Sequence, residues 1–254
     1  MTSLVHVHEL RKTFHDRGSK RLVEAVRGIS FDLSAGQSLG IVGESGSGKT
    51  TTARIVVGLE KATAGEVTVA GTDLHAEKGS PPREFYSQVQ MIFQDPYLSL
   101  SSRMKISDAV GYSLKVRGVG AEERDVRVRE AFARVGLPAA VGARYPHQLS
   151  TGQRQRVGIA RAIISEPSLV VADEPVSALD VSLRTQILNL LVDLQEQIGM
   201  AYLFISHDLA TVAYLCERVI VMERGVVVEE GDTASVLEAP QHLYTQALVR
   251  AAGL

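Results

Sequence analysis

Cysteine is almost missing from this chain: Cys216 is the single one in 254 residues. One thiol excludes an internal disulfide and any zinc or iron–sulfur site built on cysteines. It suits a reducing compartment and reads as a small apolar filler. Tryptophan is absent, and aromatic residues make up 5%. No run of 18 apolar residues occurs, so no membrane-spanning helix is expected. The opening MTSLVHVHELRK lacks a basic cluster followed by a long apolar stretch and does not read as a signal peptide. A surplus of charge is missing too: 27 Lys and Arg against 29 Asp and Glu leave a net charge of −2. That balance argues against a dedicated nucleic-acid coat, so no nucleic-acid partner is expected. There is no tandem repeat and no low-complexity linker. The remainder, 45% hydrophobic and 22% charged, is ordinary for a globular chain of one or two domains with a buried core.

The first third reads as strands and turns. Leu4–Val7 and Ile29–Leu33 alternate, Asp16–Ser19 looks like a turn, Ser38–Val42 is a short buried strand, and Glu66–Gly71 is a strand ending at glycine. From about Asp95 to Arg144 the period becomes helical, with apolar positions such as Val126, Ala131 and Val135. Lys115 to Arg134 holds six basic and four acidic residues, as a solvated helix face or a docking surface would. The last third alternates strand and helix. Ser168–Ala172 and Ala201–Ile205 are strands, Ser182–Ile198 is a helix capped by Ser182 or Asp180 and stopped at Gly199, and Asp208–Cys216 is a second helix. Arg218–Met222 and Val226–Glu230 form a hairpin across Arg224-Gly225. Strands alternating with crossover helices predict an α/β fold with a parallel sheet covered on both faces.

Two motifs carry chemistry. Gly43-Glu44-Ser45-Gly46-Ser47-Gly48-Lys49-Thr50 fits G-x-x-x-x-G-K-[ST], follows a buried strand and opens a helix ending near Gly58. Glycines let the backbone wrap a phosphate chain with its N–H groups inward, and the helix N-terminus adds a positive dipole end. Lys49 can neutralise β- and γ-phosphate oxygens, and Thr50 can offer its hydroxyl to Mg²⁺. A dinucleotide fingerprint fails, because Thr51 stands where its third glycine belongs. The second motif, Leu169-Val170-Val171-Ala172-Asp173-Glu174, delivers two carboxylates at the C-terminal end of an apolar strand. Asp173 can hold Mg²⁺, directly or through water, and Glu174 can polarise an attacking water.

Leu149-Ser150-Thr151-Gly152-Gln153 then resembles the signature motif of ATP-binding cassette (ABC) ATPases. Gln94 in QMIFQDP resembles the Q-loop glutamine, Ser177-Ala178-Leu179-Asp180 the D-loop, His207 in FISHDL the switch histidine, and Phe14 in LRKTF the adenine-stacking aromatic. The resemblance spans nearly the whole chain. It implies one nucleotide-binding domain with a P-loop NTPase core, an N-terminal antiparallel β-subdomain and an inserted helical subdomain. Residues 1–94 and 166–254 would form the ATP-binding core, and 95–165 the helical part. It implies ATP with Mg²⁺, with Gln94 sensing metal and water and His207 aligning Glu174. Thr51 would join residues 43–50 in holding nucleotide. Ser150, Gly152, Gln153 and the D-loop's Asp180 would also bind nucleotide, the first three at the γ-phosphate held by an opposite subunit. Alone, Ser150 reads as an N-cap, and Phe14 reads equally well as a core residue. One departure stands out: Thr151 replaces the first glycine of the usual Leu-Ser-Gly-Gly-Gln, which predicts weakened rather than abolished function.

Segments such as GESGSGKTTTARIVVGL, QMIFQDPYLSL, DEPVSALDVSLRTQIL and PQHLYTQALV resemble the peptide/nickel importer branch. That implies a transport-coupled ATPase on the cytoplasmic face of the inner membrane. Its partners would be a second ATPase subunit (paralogue or self), two transmembrane permease subunits and, indirectly, an extracytoplasmic solute-binding protein. An ABC ATPase accessory to a soluble complex, such as one in phosphonate breakdown, is the alternative. Chromosome-type ABC ATPases carry long coiled-coil arms, whereas only 98 residues separate Thr50 from Leu149, without sustained heptads.

Overall fold

The computed structural model describes residues 3–15, 22–75, 79–95 and 100–253. Two sheets organise it. Strands β1 (Ser3–His15) and β2 (Leu22–Ser34) pair antiparallel, and β4 (Ala64–Val69) and β5 (Thr72–Asp73) extend the sheet in the order β2-β1-β4-β5. In β1 the buried positions run Val5, Val7, then Leu10 and Lys12. The change of parity falls at Glu9, whose φ of 48° and register shift mark a bulge that turns the strand. The expected strand at Glu66–Gly71 starts two residues earlier and ends at Val69, because Ala70 and Gly71 both take positive φ in the following turn. The expected turn at Asp16–Ser19 lies outside the described residues.

The second sheet has six strands in the order β10-β9-β3-β8-β7-β6. Strands β3 (Ser38–Val42), β6 (Val89–Ile92), β7 (Leu169–Asp173), β8 (Ala201–Ser206) and β9 (Arg218–Glu223) run parallel, and β10 (Val226–Asp232) closes one edge antiparallel. Every residue of β3, β7 and β8 is buried, as strands covered on both faces require. The two faces feed separate cores. Leu169 and Val171 join the core shared with the antiparallel sheet and α1 (Lys49–Val56), while Val170 and Ala172 join the helical side.

The helical side corrects one expectation. The stretch from Asp95 is not continuously helical: among the described residues helix starts at Ile106 and breaks into three pieces, after the four-residue α2 (Phe85–Gln88). These are α3 (Ile106–Val110), α4 (Tyr112–Val116) and α5 (Ala121–Arg134), followed by 3₁₀ turns at Ala139–Ala143 and Pro146–Gln148. Gly111 and Gly118-Val119-Gly120 supply the breaks. Val126 is 43% exposed rather than core-facing, since Val128, Ala131 and Phe132 form the buried stripe of α5. Then come α6 (Thr151–Ile163), α7 (Val181–Ile198), α8 (Leu209–Leu215), α9 (Thr233–Glu238) and α10 (Leu243–Ala252). Asp180, not Ser182, caps α7, accepting from the Leu183 amide at 2.9 Å. Cys216 is buried in the helical-side core, and burial pushes its thiol far above the usual range, consistent with an inert filler.

Candidate functional site

The residues with chemistry gather where β3, β7 and β8 end. Between β3 and α1 the chain makes the 43–50 loop. Gly48 sits at φ 103°, and a Cβ there would lie 2.4 Å from the Ala25 carbonyl oxygen, so only glycine fits. Lys49 is buried, and its Nζ donates to the carbonyls of Gly43 at 2.6 Å and Glu44 at 2.8 Å. Burial holds its ammonium below the usual lysine range, against the pull of Glu174, Asp173 and Glu44. An ammonium so placed can exchange carbonyl partners for phosphate oxygens. Ser45 and Gly46 are exposed on the loop, Ser47 is buried, and Thr51 follows half-buried in α1.

Two pairs complete this end. The Thr50 hydroxyl donates to Asp173 Oδ1 at 3.1 Å across 123 residues of sequence. Burial pushes the Asp173 carboxyl above its usual range, although Thr50, Arg54 and Lys49 counteract it. Both are oxygen donors, and neighbouring ligands on an octahedral Mg²⁺ lie about 2.9 Å apart, so the pair fits a shared hard cation. The other pair is Glu174 and His207, with Nδ1 3.0 Å from Oε2. Glu174 stands at φ 46°, which an ordinary residue adopts only under constraint. Its amide donates to the Ile205 carbonyl on β8, and its own carbonyl accepts from Ser177 Oγ at 3.1 Å. These anchors hold the carboxylate against His207.

Gln94 enters the same region. With Thr50, Arg54, Tyr86, Arg161 and Asp173 it lines a cleft of about 630 Å³. The Ser150–Gln153 turn stands apart. Among the described residues no hydrogen bond joins it to the 43–50 loop; it borders another cleft, of about 400 Å³, lined by Gln94, Asp95, Arg154 and Leu179. There the Ser150 hydroxyl accepts from the Gln153 amide and the Gln153 side chain accepts from the Ser150 amide, both at 3.2 Å, a reciprocal cap on α6. Gly152 packs so closely on α7 that a Cβ would meet Leu183 at 2.8 Å. Thr151 accepts from Arg154 Nη2 at 3.2 Å. Asp180 likewise caps its own helix. Phe14 is exposed at the end of β1, with Lys12 Nζ 4.7 Å from its ring centre, and is not a core residue.

Three contributors escaped the sequence. Arg161 of α6 reaches the large cleft and lies over the Phe93 ring. Arg184 links Asp208, beside His207, to the 177–180 loop, at 3.5 Å from both the Asp208 carboxylate and the Leu179 carbonyl. The Tyr244 hydroxyl accepts from the Glu44 amide at 2.8 Å. Arg184 and Tyr244 lie inside quoted segments but at positions to which no role was given, Arg161 lies eight residues beyond Gln153, and nothing in sequence spacing couples Tyr244 to a loop 200 residues earlier.

The family model described as ABC transporter matches residues 26–177. A putative peptide import ATP-binding protein of Brucella ovis is 45% identical over 251 residues, which is 98% of this chain and 78% of that protein. The dipeptide transport ATP-binding protein DppF of Lactococcus lactis is 45% identical over 250 residues, 97% of this chain and 80% of its own. Among solved structures, the dimeric post-hydrolysis cassette MJ0796 bound to ADP and Pi is similar with a TM-score of 0.79 and 29% identity, over 90% of this chain and 98% of that one. The chain belongs to the ABC transporter family. It is an ATP-binding, ATP-hydrolysing cassette of that family, with the core, antiparallel sheet and helical part expected.

Proposed function

We propose that this chain is the ATP-hydrolysing motor subunit of an importer for dipeptides or oligopeptides. The observation that carries the reading is the convergence of Thr50–Asp173 and Glu174–His207 at the ends of adjacent strands beside the glycine loop. Residues 43–51 hold the phosphates, and Phe14 stacks on the base. Thr50 and Asp173, with Gln94 nearby, hold Mg²⁺, which when bound neutralises phosphate charge. Glu174 acts as general base toward the attacking water, and His207 keeps its carboxylate in place. The carboxylate accepts the water proton as the water oxygen bonds to the γ-phosphorus and the bond to ADP breaks.

Ser150, Gly152 and Gln153 complete the site of a second ATPase subunit, with Asp180 near that junction. Their self-contained, outward turn supports this, as does the dimeric form of the MJ0796 cassette. We read residues 1–94 and 166–254 as the ATP-binding core and 95–165 as the helical part that meets two permease subunits. Among the described residues no helix is long and apolar enough to cross a membrane. The chain would therefore dock on those subunits from the cytoplasmic face, with the solute-binding protein beyond them. The relatives' names favour peptide import over nickel and over a soluble accessory ATPase.

The test is affinity capture of the Glu174→Gln protein from native membranes with ATP and Mg²⁺. Two multi-span proteins and a second ATPase are expected. A purely soluble set of partners would overturn the importer reading.

A further inference from the structure

The segment Pro240–Tyr244 belongs to a motif the ATPase chemistry leaves unused, and it is tied down with unusual care. Glu229 on β10 accepts from the amides of Gln241 at 2.8 Å and His242 at 3.0 Å. His242 Nδ1 caps α10 by accepting from the Tyr244 amide, and the Gln246 side chain returns to the Pro240 carbonyl at 3.1 Å. The product of these bonds is the position of one phenol. Tyr244 is half-buried, and its hydroxyl meets the Glu44 amide in the second position of the 43–50 loop. Farther along the same helix, Leu248, Ala251 and Ala252 line a cleft of about 290 Å³ with Glu174, His207 and Asp208. So α10 borders both the phosphate loop and the switch.

We propose that Pro240–Tyr244 is a latch on the phosphate loop, with Tyr244 as a positioning residue that fixes the Glu44 amide and so presets the loop for nucleotide. Tyr244 touches no nucleotide in this role; it acts through the backbone of Glu44. A loop free to sample other conformations would lose ordering entropy on each binding event, and the hydrogen bond removes part of that cost beforehand. The inference rests on residues 43–50 being the nucleotide loop.

The experiment titrates the full chain with a fluorescent ATP analogue and Mg²⁺, and measures turnover at saturating ATP. Tyr244→Phe deletes only the hydroxyl. It should weaken binding about three- to tenfold, the worth of one ordinary hydrogen bond. Turnover at saturation should stay within about twofold, and the melting temperature without nucleotide should hold. Glu229→Gln should weaken binding in the same direction and add little in the Tyr244→Phe background, because both act through one contact. Wild-type affinity in Tyr244→Phe, or a loss explained by a lowered melting temperature, overturns the latch. Lys49→Ala in the same titration separates the two readings. Unchanged affinity there removes the nucleotide loop itself, whereas its loss beside a normal Tyr244→Phe removes the latch alone.

Discussion

The glycine loop and the Ser150–Gln153 turn both open a helix, yet they are built in opposite ways. The loop is held by distant chain: Tyr244 takes the Glu44 amide, the Gly225 amide donates to the Ser47 carbonyl, and Asp173 receives the Thr50 hydroxyl. Its lysine is buried and its carboxylate neighbour is desolvated. The signature turn closes its hydrogen bonds within four residues and leaves Ser150 and Thr151 exposed. One site is therefore hydrogen-bonded into place by the tertiary fold, while the other draws its hydrogen bonds from its own neighbourhood and meets distant chain through the packing of Gly152 on Leu183. A preset, buried half-site should respond to a substitution in its chemistry, and a local, exposed one mainly in helix stability and in the contact it offers a partner.

The comparison is broken most severely by Glu174→Gln. Removing a general base should slow phosphate release by about 10²–10⁴-fold while ATP still binds; near-normal turnover would take Glu174 out of its role. Next comes Lys49→Ala. Losing charge-assisted bonds of about 1.5–3 kcal/mol should weaken ATP binding at least tenfold in a calorimetric titration. Ser150→Ala acts on the other half. It should cost about 1 kcal/mol of stability by thermal melting, with ATP affinity of the isolated chain unchanged. Thr151→Gly should be milder still. It frees Arg154 from its hydroxyl partner and costs about 0.5–1 kcal/mol of stability, while turnover rises if the β-branched residue hinders the facing site; a fall in turnover would reverse that reading.

The smallest effect is one of pH. Burial of Glu229 is outweighed chiefly by the amides of Gln241 and His242 that donate to it, which hold its carboxyl below the ordinary value of 4.5. A depressed folded pKa adds stability that is complete above the unfolded value and lost as pH falls through the folded one. Wild type should therefore lose slightly more melting temperature below pH 4.5 than Glu229→Gln does. Equal acid slopes would show that the carboxylate carries no linkage.

Much of this was readable beforehand because the chemistry and the local geometry coincide. Strand β3 came out at its expected limits, since a short apolar run before a glycine loop has few alternatives. Ser150 was open to both a capping and a phosphate-binding reading, and its geometry contains the first while leaving its exposed edge for the second. Val126 misled because one apolar side chain sits off a stripe set by Val128, Ala131 and Phe132. The bulge at Glu9 was invisible because a positive φ on an ordinary residue leaves no mark in composition. Tyr244 and Arg184 were missed for a different reason. Their partners are chosen by how helices land on the sheet, which no local period encodes.

Strand β3 leads into the 43–50 loop, but its two neighbours in the sheet are β8 and β9, at residues 201–223. During synthesis, then, the loop is made early and stays without a frame until most of the chain has followed it. The antiparallel pair β1 and β2 and the capped α6 rest on nearer contacts and can form sooner. A ribosome-bound chain that ends before residue 201 therefore lacks both flanking strands of its ATP-binding centre. If residues 43–50 hold the nucleotide as proposed, the capacity to bind it would come only after those strands are made, and ATP binding would then report a nearly finished chain.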